Sequence, residues 1–122
     1  MAGVAETIPA TARTVLIIDD HPSARNVLED AGFVVIGEEQ DGASGLAAAT
    51  VMRPAVVLLD IQLRDIDGFD VAARLTAQDN GPAVVLTSSH DSEFGGMDAR
   101  SGARGFVAKD QLTGPALEAL LG

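Results

Sequence analysis

Asp60 closes the apolar run VVLL and opens the acidic loop IQLRDIDG, and Asp19 and Asp20 close TVLII in the same way. Thr87 and Ser88 follow AVVL, and Lys109 follows GFVA. Singly, each is ordinary, since an Asp or Thr after a strand is commonly a turn or cap residue. Jointly they offer three carboxylates, a hydroxyl and an amine. Two carboxylates about 4 Å apart repel by roughly 4 kcal/mol at an effective dielectric near 20. Three must raise their pKa values or gather a cation. The chain has no cysteine, so hard oxygen ligands favour Mg²⁺, with Mn²⁺ as the alternative, over zinc. Mg²⁺ takes one or two protein carboxylates and shares its other positions with water and phosphate oxygens. A carboxylate beside it can act as a nucleophile and form an aspartyl-phosphate. Lys109 is the only lysine, a compact ammonium suited to one phosphoryl oxygen where arginine presents a fork.

These residues meet only if the elements carrying them end on one edge. Five short runs recur: TVLII (14–18), FVVI (33–36), AVVLL (55–59), AVVL (83–86) and GFVA (105–108). They are continuous rather than alternating, as parallel strands covered on both faces read. Helical signals lie between them. Pro22 suits a first helical turn after His21, and SGLAAATVMR (44–53) is Ala-rich after Asp41-Gly42. FDVAARLTA (69–77) has apolar residues at helical spacing before Asn80-Gly81, 92–101 is the weakest helix, and PALEALL (115–121) is the last. Strand–helix alternation predicts an open, doubly wound (βα)5 sheet with helices on both faces. Ligands in such sheets bind outside the carboxyl ends of the strands. That is where all five chemical groups stand.

The totals agree. A chain of 122 residues with 47% hydrophobic residues is one globular domain. A net charge of −10 argues against direct binding of nucleic acid or an anionic membrane. No apolar stretch approaches the ~20 residues of a membrane helix, and MAGVAETIPATAR is not a signal peptide. A cysteine-free chain fits a reducing, cytoplasmic setting. Residues 1–13 read as a flexible tail and 14–121 as the domain, with no output domain expected in this chain.

LIIDDHP (16–22), VVLLDIQLRDIDG (56–68), VVLTSS (84–89) and GARGFVAKD (102–110), in this order and spacing, resemble the receiver domain of two-component response regulators. This is the CheY-like superfamily, and the DDHP opening and Lys109-Asp110 look closest to its NarL/FixJ-like branch. The resemblance covers 14–121. It implies a flavodoxin-like five-stranded parallel sheet of order 2-1-3-4-5. It implies that Asp60 is the phosphoacceptor and also a Mg²⁺ ligand, that Asp20 binds Mg²⁺ directly and Asp19 through a water, and that the Gln62 backbone carbonyl completes the protein ligands. Thr87 and Lys109 would contact phosphoryl oxygens, Phe106 would be the aromatic switch with Thr87, and Gln62 and Ser89 would tune dephosphorylation. The donor would be a phosphohistidine on a sensor histidine kinase or histidine phosphotransfer protein. Output would pass through the 91–121 face to a downstream protein or into a homodimer.

Three departures from that pattern stand out. The usual Pro after the phosphoacceptor is Arg64, which predicts a less rigid, more basic loop. Phe106 lacks the hydroxyl of a Tyr. Only residues 19–32 separate the first two runs, so the first helix should be short. Rival readings are a degenerate receiver serving as an unphosphorylated scaffold, or the excised receiver of a DNA-binding regulator. An aspartate-nucleophile phosphatase of the haloacid dehalogenase type is disfavoured, because Gln62 stands where its second Asp belongs. His21 reads as a helix-start residue and His90 as a solvated one. Asp65 and Asp67 read as caps of the third helix, and Met52 and Met97 as packing residues.

Overall fold

A computed structural model describes residues 13–20, 24–78, 80–88 and 102–121. Five strands form one sheet: β1 (Thr14–Ile18), β2 (Val34–Glu39), β3 (Val56–Asp60), β4 (Ala83–Ser88) and β5 (Gly105–Ala108). All neighbours pair in parallel, in the order β2-β1-β3-β4-β5. Among the described residues the helices are α1 (Arg25–Asp30), α2 (Gly42–Met52), α3 (Gly68–Thr76) and α4 (Gly114–Leu121). His21, Pro22, Ser89, His90, Met97 and the expected helix over 92–101 lie outside the described residues, as does nearly all of the expected tail.

The continuous apolar runs are explained by cover on both faces. Successive side chains point to opposite faces of a strand. Leu16, Ile18, Val57, Leu59, Val84 and Leu86 therefore pack with Ala49 of α2 and Val71, Ala72 and Leu75 of α3. Val15, Ile17, Val56, Leu58, Val85 and Val107 pack with Leu28 of α1 and Leu117 of α4 on the other face. Each fully buried Leu or Ile contributes on the order of 1.5–3 kcal/mol, which makes the sheet a rigid frame for whatever its ends carry. Helix α2 approaches through small residues, Gly42, Gly45 and Ala49, so it lies close against the sheet. Met52 covers Gly37 yet stays partly exposed, so it packs on one side only.

The first helix is short as expected, and its C-terminal end is fixed. α1 has six residues, and the turn after it is a Schellman closure. Gly32 N–H donates to Glu29 O at 3.0 Å and Phe33 N–H to Leu28 O at 3.0 Å. That closure needs the positive φ of +95° at Gly32. Leu28 and Phe33 bury in the same cluster and lock the turn.

The strands run further than their apolar runs. β2 extends through Gly37, Glu38 and Glu39, paired with Leu16, Ile17 and Ile18. An edge strand half open to solvent tolerates these polar residues in its ladder. β3 and β4 likewise include Asp60, Thr87 and Ser88.

Candidate functional site

Asp60 and Thr87 are paired ladder residues, Cα against Cα, at the end of the parallel β3–β4 pair. The Ile61 N–H donates to the Thr87 carbonyl at 3.0 Å and extends that pairing past the carboxylate. Asp19 directly follows β1, and its N–H donates to Glu39 O at 2.8 Å. Lys109 opens the 3-10 turn after β5. Asp19, Asp60 and Thr87 are therefore aimed by backbone ladders, and Lys109 by the turn that directly follows one.

The sheet brings the expected residues together. Asp19, Asp20 and Asp60 each present a carboxylate oxygen, all within 4.8 Å of one another. Asp19 is 5% and Asp60 3% exposed. The Lys109 Nζ lies 2.8 Å from Asp19 Oδ2, 3.0 Å from Asp19 Oδ1 and 3.2 Å from Asp60 Oδ2. The other Asp60 oxygen, Oδ1, accepts the Gln62 N–H at 2.9 Å. Arg64 Nε stands 3.5 Å from Asp20 Oδ2.

Burial pushes the Asp60 carboxyl above its ordinary range. The Gln62 N–H and the Lys109 charge work against that shift, and the Asp19 charge works with it. Burial opposes the charge on Lys109, but its hydrogen bonds and attraction to Asp19 and Asp60 outweigh this and raise its pKa. One partly buried ammonium thus serves two buried carboxylates, and the cluster keeps an excess of negative charge. Three hard oxygen donors at this spacing suit a small divalent cation.

Thr87 completes the site. It is 1% exposed, and its Oγ1 is buried without a hydrogen-bond partner among the described residues. An unsatisfied buried hydroxyl costs about 1–3 kcal/mol. It lines a cavity of about 40 Å³ together with Asp19, Lys109, Leu58, Ala24, Val27 and Leu112. A donor kept idle beside an ammonium and a carboxylate cluster suits a ligand oxygen. Phe106 pairs with Leu86 in the ladder and packs, half-buried, against the α2–α3 face of the core.

Two features lay beyond the sequence reading. Ser88, fully buried, donates from Oγ to Gln62 Oε1 at 3.3 Å and ties the loop after β3 to the end of β4. The repeated hydroxyls of TSS were its only signal. Asp65 does not cap α3. Its two oxygens accept the Gly42 and Ala43 N–H groups at 2.8 and 3.0 Å, so it caps α2 from across the site. Asp67 does cap α3, accepting the Phe69 N–H at 2.8 Å. Arg64 puts a positive charge in the acidic loop after β3, but Asp65 pins that loop to the start of α2. Gly68 closes it against the strand: a Cβ there would stand 2.3 Å from Ile61 Cα.

A family profile described as response regulator receiver domain matches residues 15–120. BvgA of Bordetella pertussis, named a positive transcription regulator of virulence factors, is 43% identical over 102 residues, which are 80% of this chain and 49% of that protein. The chemotaxis protein CheY of Listeria monocytogenes is 29% identical over 111 residues, 87% of this chain and 93% of that one. The chain spans about half the length of the transcription regulators it matches. Among solved structures, the signal receiver domain of the response regulator NarL from Mycobacterium tuberculosis superposes with a TM-score of 0.75. It is 30% identical, over 91% of this chain and 98% of that one. Chemotaxis response regulator CheY4 of Vibrio cholerae gives 0.72 at 25% identity, over 91% and 97%.

Proposed function

The chain belongs to the response regulator receiver domain family, and from that premise we propose that it accepts a phosphoryl group on Asp60 from a phosphohistidine donor. In the transfer, a bond forms between an Asp60 carboxylate oxygen and phosphorus. The bond from the donor's imidazole nitrogen to phosphorus breaks, and that nitrogen keeps the electron pair. Positioning and charge neutralisation carry most of such a reaction. Lys109 already stands at Asp60 Oδ2, where it can follow the negative charge onto a phosphoryl oxygen. The unpartnered Thr87 hydroxyl donates to another. Asp20, Asp19, Asp60 and the Gln62 carbonyl would hold Mg²⁺, which supplies neutralisation of the carboxylates and of the incoming phosphoryl oxygens.

Signalling follows as a population shift. The phosphoryl group favours the state in which Thr87 reaches toward it, and Phe106 fills the space that this opens. Gln62 and Ser89 would govern access of water to the phosphorylated Asp60, and Ser88 fixes Gln62 for that task. The donor partner is a sensor histidine kinase or histidine phosphotransfer protein. Output runs through the 91–121 face, of which residues 102–121 are described, to a downstream protein or a second copy. The likeness to transcription regulators twice as long supports the further reading that this domain governs a DNA-binding partner domain.

The observation that carries the proposal is the meeting of three carboxylates, Lys109 and an idle Thr87 hydroxyl at one sheet edge. The test is incubation with Mg²⁺ and acetyl phosphate or phosphoramidate, read by intact mass. One phosphoryl group is expected, absent from Asp60→Asn. An adduct that persists in Asp60→Asn, or none in the unaltered protein, favours the scaffold reading.

A further inference from the structure

Arg64 occupies the position where receivers usually carry a proline, and its guanidinium reaches back over the acid cluster to Asp20. The contact is 3.5 Å, with the Arg64 side chain 82% and the Asp20 side chain 19% exposed. The pair spans a cavity of about 320 Å³ lined by Asp20, Gln40, Asp41, Arg64 and Asp65. The next residue holds the reach in place. Asp65 grips the first N–H groups of α2 with both oxygens, and those bonds hold its carboxyl below the usual range. Adjacent residues thus divide the work, one anchoring the loop and the other placing a cation.

Lys109 engages Asp19 and Asp60 from the β5 side, and Arg64 engages Asp20 from the β3 side. All three carboxylates of the cluster therefore face a cation of this chain's own. We propose that Arg64 is a built-in competitor for the divalent cation at Asp20, held there by Asp65, and that it sets the metal affinity of the site. It is a positioning residue that acts through Asp20. The inference rests on the metal reading above. An exposed ion pair is worth little, so its loss should tighten divalent binding about two- to fivefold.

The test is calorimetric titration of the full chain with Mg²⁺, and Mn²⁺ titration followed by electron paramagnetic resonance, with no phosphodonor. Arg64→Ala should bind about two- to fivefold more tightly than the parent. Arg74→Ala, which removes the same charge from the last turn of α3, should change affinity less. In an Asp20→Asn background, Arg64→Ala should have no effect. Asp65→Ala should also tighten binding, although it removes a negative charge; weaker binding there overturns the anchoring role. Equal affinity in the parent and Arg64→Ala, or an equal gain in Arg74→Ala, overturns the inference while leaving the metal site standing. No binding by either protein removes the metal reading, and the inference with it.

Discussion

Lys109 and Arg64 approach the same acid cluster from opposite sides, under opposite conditions. Lys109 directly follows the edge strand β5, is 20% exposed, and contacts two carboxylates at 2.8 to 3.2 Å. Arg64 rides a loop, is 82% exposed, and meets one carboxylate at 3.5 Å. Coulomb attraction is several times stronger away from water, so the partly buried ammonium is part of the domain's charge balance. The guanidinium is an adjustable, salt-screened addition. The difference separates what the site requires from what tunes it: the lysine is held by the fold, the arginine by one side-chain clamp.

The comparison breaks most readily at Lys109. Lys109→Ala leaves Asp19 and Asp60 buried without their cation, and removing one partner of a buried pair costs about 3–5 kcal/mol. Denaturant unfolding in EDTA should show a loss near the lower end of that range, because Lys109 is partly exposed. Mg²⁺ should restore part of it; a loss under ~1 kcal/mol would place Lys109 with Arg64 as a minor contributor. Gly68→Ala tests whether the Arg64 loop depends on the tight closure at Ile61. Its Cβ meets backbone that cannot move aside, so the same assay should read about 1–3 kcal/mol of destabilisation.

A pH series sharpens the contrast further. Asp60's raised pKa means that its ionised form is disfavoured by folding. It contributes stability that is present at acid pH and lost as pH rises through its folded pKa. Asp65 has a depressed pKa, so its contribution is lost as pH falls through that lower value. In EDTA, thermal stability should therefore rise as pH drops from neutral toward the Asp60 titration, then fall at stronger acid. Asp60→Asn should remove the rise; identical profiles would deny that burial strains Asp60. The smallest effect belongs to Arg64→Ala, which should change unfolding stability by less than ~1 kcal/mol, as equilibrium unfolding can check.

Much of this was legible because parallel strands announce themselves. Runs such as VVLL and AVVL need cover on both faces, and their order predicts the sheet, the crossovers and the edge where Asp19, Asp20, Asp60, Thr87 and Lys109 gather. Strand ends were less legible. Glu38 and Glu39 belong to β2 through pairing with Ile17 and Ile18, and nothing in their own chemistry signals a ladder. Thr87 and Ser88 extend β4 for the same reason. The Asp65 clamp was hidden by sequence distance, since its partners Gly42 and Ala43 lie 23 and 22 residues away. A local reading gave Asp65 to the helix that follows it. The Arg64–Asp20 pair was likewise invisible, because only the folded crossover sets those two residues side by side.

The central claim is that Asp60, Lys109 and Thr87 form one phosphoryl site beside a divalent cation. Its most direct measurement is a crystal structure grown with Mg²⁺ and beryllofluoride, a phosphoryl mimic. The account predicts beryllium bonded to an Asp60 oxygen, Lys109 and Thr87 each on a fluorine, and Mg²⁺ held by Asp20 and the Gln62 carbonyl. Beryllofluoride absent from Asp60 in crystals soaked at saturation, or bound there with Lys109 and Thr87 turned elsewhere, would contradict it.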